Sequence, residues 1–211
     1  MALAGGSLAA CSSNSDASAP PSSSSASQPA TNQAKQVVLN SAMRGLWADH
    51  MQWTWSSVDA FFHNPKGLQA QLDRLLQNQK DIGAAIVPYY GQDAATQLTD
   101  LLTTHIKDAV PVLTAAQKGD NAALEKASDE WYRNAKEIAD FLTKANPDNW
   151  PTSATEPMMK THIDQTIAYS VDLLKGNYAQ AVKDYDAAEL HMLMMGDTLA
   201  QGIIAQFPDK F

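Results

Sequence analysis

Cysteine is almost absent from this 211-residue chain: Cys11 is the one thiol. A single thiol supports neither a disulfide framework nor a Cys-rich zinc module. Charge is scarce as well, at 18% of residues against the ~25% of an average domain. What charge there is leans acidic, with 23 Asp and Glu against 15 Lys and Arg and a net charge of −8. That balance argues against a nucleic-acid partner, which requires a basic face to displace counterions. No apolar run reaches the ~18–20 residues of a membrane span. The chain also lacks a Gly-rich phosphate loop and a Ser nucleophile elbow, so kinase and hydrolase readings have no support.

The missing charge belongs mainly to the N-terminal segment. Residues 1–10 are small and apolar, and Leu8-Ala9-Ala10-Cys11 resembles the lipobox of bacterial lipoproteins. In that family the signal peptide is cut before the Cys, whose thiol then carries lipid. Residues 1–10 lack a basic n-region, as in a signal peptide truncated by a start placed too far downstream. From Ser12 to Ala34, nine of 23 residues are Ser, three are Pro, one is charged and none is aromatic. Such a segment buries too little surface to offset its ordering entropy. Residues 11–34 are therefore expected to be a lipid-anchored, disordered linker holding a domain of residues 35–211 outside the cytoplasmic membrane. In a Gram-negative host, Ser12 after the Cys fits outer-membrane sorting as the family rule is usually stated. The expected location is the bacterial cell envelope, facing the periplasm or the cell surface.

From Lys35 onward the apolar spacing is helical and no strand is evident. The punctuation predicts six helices. They run from about Leu39 to Phe61, Leu68 to Val87, Asp93 to Gln117, Asn121 to Ala145, Ala154 to Leu174 and Tyr178 to Gln206. Pro88 and Gly91 are expected to stop the second helix, and Pro111 to kink the third. The expected fold class is all-α, an up-and-down bundle of three helical hairpins.

A 57-residue offset brings related positions together. Thr104-His105-Ile106 falls on Thr161-His162-Ile163, Lys118-Gly119 on Lys175-Gly176, and Asn134 on His191. The first hairpin follows more loosely. The distance from a central His to its partner is 28 residues for His50 and Asn78, 29 for His105 and Asn134, and 29 for His162 and His191. Similar spacing across a turn returns each pair to one height, at ~1.5 Å of rise per residue. Four His and two Asn are then predicted to share a mid-bundle layer.

Crowded imidazoles in a low-dielectric core stay neutral, and a neutral imidazole is a good metal ligand. Asp81 and Glu137, three residues after Asn78 and Asn134, are the expected carboxylate donors. The candidate metal set is thus His50, His105, His162, His191, Asp81 and Glu137. A His-rich set favours zinc or copper over iron, and Met158, Met159, Met194 and Met195 nearby would favour Cu(I). Ordinary core packing is the other reading of those Met residues. Haem held axially by two His is a lesser alternative. The chain resembles the bundle-core di-metal proteins only in outline, since it has no Glu-x-x-His. Arg74 with Asp73 beside Asn78 is a candidate polar cluster, Tyr89-Tyr90-Gly91 a candidate pocket mouth, and His63 a solvated turn residue. Trp47, Trp53, Trp55 and Trp131 are expected at helix interfaces.

The segments Leu46-Trp47-Ala48-Asp49-His50-Met51-Gln52-Trp53-Thr54, Asn78-Gln79-Lys80-Asp81-Ile82-Gly83, Tyr90-Gly91, Trp131-Tyr132-Arg133-Asn134-Ala135-Lys136-Glu137-Ile138-Ala139 and Gln206-Phe207-Pro208-Asp209-Lys210-Phe211 together resemble an uncharacterised family of exported bacterial helical proteins. The resemblance covers nearly all of residues 40–211. Members often carry the labels glycosyltransferase or acetylglutamate kinase, and both activities would need an α/β nucleotide-binding architecture that this chain does not have. The resemblance implies a helical fold and export and adds no mechanism. Three functions follow from the residues: an envelope metal-binding protein for sequestration, sensing or delivery; a metal-dependent oxidoreductase at the same site; or a non-catalytic interaction module whose His are merely buried.

Overall fold

The structure is a computed structural model and describes residues 27–211. The lipobox-like segment with Cys11 and most of the linker lie outside the described residues. Five α-helices and a 3-10 turn make up the described chain: α1 Ser27–His63, α2 Leu68–Lys118, α3 Asn121–Ala145, α4 Thr152–Lys175, α5 Tyr178–Gln206 and the turn Pro208–Lys210. The described residues contain no strand, so the all-α bundle stands. α1 starts at Ser27, inside the Ser- and Pro-rich segment assigned to the linker. Pro29 falls in its first turn, where the missing N–H costs nothing.

The 51-residue α2 is two helices joined at one residue. Gly91 has φ 81° and ψ 174°, a backbone conformation essentially confined to glycine. Here the chain reverses. A Cβ on Gly83 would lie 2.0 Å from Thr99 Oγ1 and 2.9 Å from the Ala95 carbonyl oxygen. Residues 83 and 99 would be about 24 Å apart along a straight helix. The first arm (68–90) and second arm (92–118) are therefore antiparallel, and six helical segments alternate up and down. Pro88 and Pro111, by contrast, sit inside α2 with helical backbone angles. The helix runs through Pro88 and turns at Gly91, because glycine supplies a conformation while proline only withholds a hydrogen bond.

Three other helix ends follow common capping rules. Asp120 accepts from the Ala123 N–H at 3.0 Å and caps α3. Gly119 and Gly176, both left-handed, close α2 and α4. Each helix packs on its chain neighbours, and α1 also packs on α5, which closes the bundle. One end of the core is sealed by aromatic side chains. Tyr90 packs against Trp150 and Phe207, and its hydroxyl donates to Gln206 Oε1 at 2.6 Å. Gly202 permits this seal, since a Cβ there would fall 2.0 Å from Trp150 Nε1.

Two glycine substitutions should have opposite signs. Gly91→Ala should destabilise the protein by about 1–3 kcal/mol through strain at positive φ. Gly45→Ala, in α1 with nothing within 4 Å of the new Cβ, should stabilise it by about 0.5–1 kcal/mol. Urea denaturation of both variants beside the parent chain checks this; a neutral Gly91→Ala would mean the reversal is not held by glycine.

Candidate functional site

The three up-running segments each bring one histidine to the bundle centre. His50 on α1, His105 on the second arm of α2 and His162 on α4 are each 2% exposed. The His162 ring lies 5.6 Å, centroid to centroid, from both the His50 and the His105 rings. Trp47 packs edge-on against His50 at 5.5 Å, and Trp131 lies 5.3 Å from His105. The expected mid-bundle cluster therefore forms with three of the four histidines.

Each central histidine has a carbonyl four residues earlier on its own helix that is claimed by the next helix. Asn78 Nδ2 donates to the Leu46 carbonyl at 3.0 Å, Asn134 Nδ2 to the Leu101 carbonyl at 3.2 Å, and His191 Nε2 to the Met158 carbonyl at 2.9 Å. A backbone carbonyl has two lone pairs, so it can serve its own helix and the neighbour at once. His191 is thereby the structural counterpart of the two Asn residues. It spends its Nε2–H on a backbone carbonyl and does not line the cavity that the other three share.

These bonds also set tautomers. Because Asn134 Nδ2 is the donor to Leu101, Asn134 Oδ1 must accept from His105 Nδ1–H, at 2.9 Å. A neutral His105 then has a bare lone pair on Nε2, and that atom is buried without a partner. His162 Nδ1 is likewise buried and unpartnered. His50 Nδ1 faces Gln79 Nε2 at 3.3 Å, while that amide also donates to the Leu75 carbonyl and to Asn78 Oδ1. Gln79 is fully buried beside the cluster and its Oε1 has no partner. Gln79 is absent from the site expected from sequence, although its place in the apolar stripe Leu75-Gln79-Ile82-Ile86 is a readable signal of burial.

The carboxylates do not join the cluster. Glu137 is exposed on the outer face of α3. Asp81 accepts from Gln77 Nε2 at 2.9 Å and lies 3.7 Å from Arg74, at the bundle surface. A position three residues after Asn78 or Asn134 is rotated about 60° around the helix. The Asn itself already reaches sideways to the neighbouring helix, so the extra rotation carries the carboxylate outward. Arg74 pairs with Asp49 at 2.8 Å and stacks on Trp53, whereas Asp73 accepts from Gln69. Tyr90 belongs to the aromatic seal, not to the mouth of the histidine cavity. His63, the last residue of α1, bonds Asp59 at 2.9 Å and packs near Tyr178. Met159 and Met195 are buried in the apolar core, and Met194 is 58% exposed. Among the described residues no three His, Cys, Asp or Glu side chains are grouped, as they stand, in a way that would enclose a metal ion.

The histidine layer divides the core into unlike halves. Toward the aromatic seal, the core encloses only a void of about 30 Å³ between Met43, Trp47, Leu102, Met159 and Met195. Toward the opposite end lies a cavity of about 130 Å³. His50, His105, His162 and Trp131 form its head; Val58, Ile106 and Ala109 are among its walls; half-buried Phe61, Leu68 and Leu72 and exposed Val110 line its outer part. Its lining contains no charged side chain.

Burial dictates the charge state of the cluster. Desolvation lowers His50 to about 3, aided by His105, against weaker opposition from the Gln79 and Asn78 hydrogen bonds. Desolvation lowers His105 to about 4, partly offset by the bond to Asn134. His162 falls well below its ordinary value through burial first and its neighbours His105, His50 and His191 second. All three are neutral at physiological pH. Because each folded value lies below the unfolded value of about 6.5, the unfolded chain binds more protons as the pH drops. Stability should therefore be complete above pH 6.5 and fall below it, by about 1.4 kcal/mol per pH unit for each histidine, down toward pH 4. Urea titrations of chelator-treated protein at pH 7 and pH 5 measure this, and His162→Phe should lessen the slope by roughly one histidine's share. A flat profile would mean that the three rings are not buried neutral. No family model matches this chain, and comparison with curated proteins and with solved structures returned no match.

Proposed function

We propose that this protein is a cell-envelope lipoprotein that binds a transition metal ion at His50, His105 and His162, for sequestration, sensing or delivery. The observation that carries the reading is a trio of neutral imidazoles at the head of a cavity, with two ring nitrogens, His105 Nε2 and His162 Nδ1, buried and unpartnered. A buried polar atom without a partner costs about 1–3 kcal/mol, a cost that coordination to a metal ion would relieve. Imidazoles bound tetrahedrally to one zinc at Zn–N ~2.0–2.1 Å have centroids about 5 Å apart. The His162 ring lies 5.6 Å from both neighbours but is stacked at 27° on His105, so the rings would have to rotate as well as approach for their nitrogens to meet at one ion.

The donor set is smaller than the six side chains expected from sequence. Three imidazoles without carboxylates suit zinc or copper better than iron. Asn134 would orient His105 as an outer-shell partner. Gln79 would do so for His50 if its unpartnered Oε1 turned to accept from Nδ1–H. A cavity close in size to one that holds a benzene supports a bare ion over a porphyrin. The open space beneath the imidazoles would leave a coordination position free, which suits exchange of the ion with a partner.

Protein prepared without an affinity His tag should retain about one zinc or copper per chain through dialysis, read by elemental analysis. The double substitution His105→Ala and His162→Ala should reduce that content to background, while Asp81→Asn and Glu137→Gln should leave it unchanged. Metal content indifferent to the double substitution would overturn the assignment. Anchoring has its own test: in the native host, Cys11→Ala should move the protein from the membrane to the soluble fraction.

A further inference from the structure

The cavity beneath the histidine layer is larger than a lone metal ion needs, and its chemistry is selective. No Lys, Arg, Asp or Glu lines it, so neither an anion nor a cation finds a counter-charge there. Its volume of about 130 Å³ approaches the ~150 Å³ of an apolar protein cavity that binds benzene. The walls, among them Val58, Leu75, Ile106 and Leu113, suit a flat hydrocarbon ring.

The cavity surface itself is almost wholly apolar, and unpartnered ring atoms of the head residues lie just behind it. His105 Nε2 is a bare acceptor by the tautomer argument above, and Trp131 Nε1 is a buried N–H without a partner. Ser57 Oγ, in a residue 7% exposed, is also unpartnered. The other hydroxyls are already committed as donors: Thr54 to the His50 carbonyl, Thr166 to the His162 carbonyl and Ser170 to the Thr166 carbonyl. His162 Nδ1 is a third unpartnered ring atom there; an acceptor on His105 and a donor on Trp131, on rings whose centroids are 5.3 Å apart, suit a group that both gives and takes a hydrogen bond. A hydroxyl does so; a carboxylate only accepts, and its charge would go unpaired.

We infer that the cavity is a binding site for a small neutral hydroxylated ring of phenol size, its O–H donating to His105 Nε2 and accepting from Trp131 Nε1–H once a small shift of the two rings brings those atoms to the cavity surface. The apolar ring supplies area against the walls and the hydroxyl supplies selection. The inference rests on the cavity and not on the metal. Since both claims use His105 Nε2, the two ligands should compete.

The test is calorimetric titration of phenol, benzene and benzoate into the full chain stripped of metal with chelator at pH 7.5. Phenol should bind once per chain and raise the melting temperature saturably. Benzene should bind about tenfold more weakly, the net worth of a good hydrogen bond, and benzoate should give no heat of binding. His105→Phe should remove the preference for phenol over benzene. Ala109→Leu, which fills the cavity from its wall while leaving the histidine layer intact, should abolish binding of both, and its melting temperature shows whether it has folded. Equal affinity for phenol and benzene, phenol binding that survives Ala109→Leu, or no binding of either ring would each overturn the inference. Zinc binding without phenol binding would overturn this inference and leave the metal reading standing; phenol binding without zinc binding would do the reverse.

Discussion

A side chain on one helix donating to the carbonyl four residues before a buried histidine on the next is the constraint on which the rest of this bundle depends. It occurs three times, from Asn78, Asn134 and His191 to the carbonyls of Leu46, Leu101 and Met158. Apolar packing is non-directional and would tolerate a slide of one helix along another by a turn. A buried hydrogen bond does not, because a one-turn slip would strand a donor in the core. The three bonds therefore fix the axial register of each helix pair, and through it the height of His50, His105 and His162.

Register at that height has an electrostatic consequence. Three imidazoles meet where water cannot solvate them, so desolvation and mutual repulsion both favour the neutral ring. Neutrality and a fixed tautomer turn a common buried residue into a lone-pair donor. The arrangement costs stability, since unpartnered nitrogens and a cavity remain in a core that could have been filled with leucine. The apolar half beyond the layer, with its seal of Tyr90, Trp150 and Phe207, offsets that cost and packs against the layer from one side.

Much of this was legible in the order of residues. Apolar stripes broken by Gly119, Asn146-Pro147 and Gly176 marked the helices, and the 28- and 29-residue spacings brought His105 level with Asn134 and His162 level with His191. Other inferences failed for a common reason. Counting turns along one helix puts Asp81 and Glu137 beside the layer, but whether a side chain faces the core or the solvent depends on the neighbour's position to within tens of degrees. Residue type groups His191 with the other histidines, yet the second lone pair of the Met158 carbonyl makes it the equivalent of an asparagine. Glutamine is mostly a surface residue type, but the apolar stripe Leu75-Gln79-Ile82-Ile86 carries Gln79 inward.

The sequence by itself determined the helical class, the alternation of segments and the mid-height position of the histidines, because helical periodicity and turn chemistry are local. Only the tertiary structure decided which of those histidines face one another, that the carboxylates face water, and that one half of the core stays open. Those outcomes depend on the rotation of six segments about their own axes, and rotation is set by packing among residues far apart in the chain. The scarcity of charge has the same double character. Composition showed that charge was thin, and the fold left a cavity lining with none.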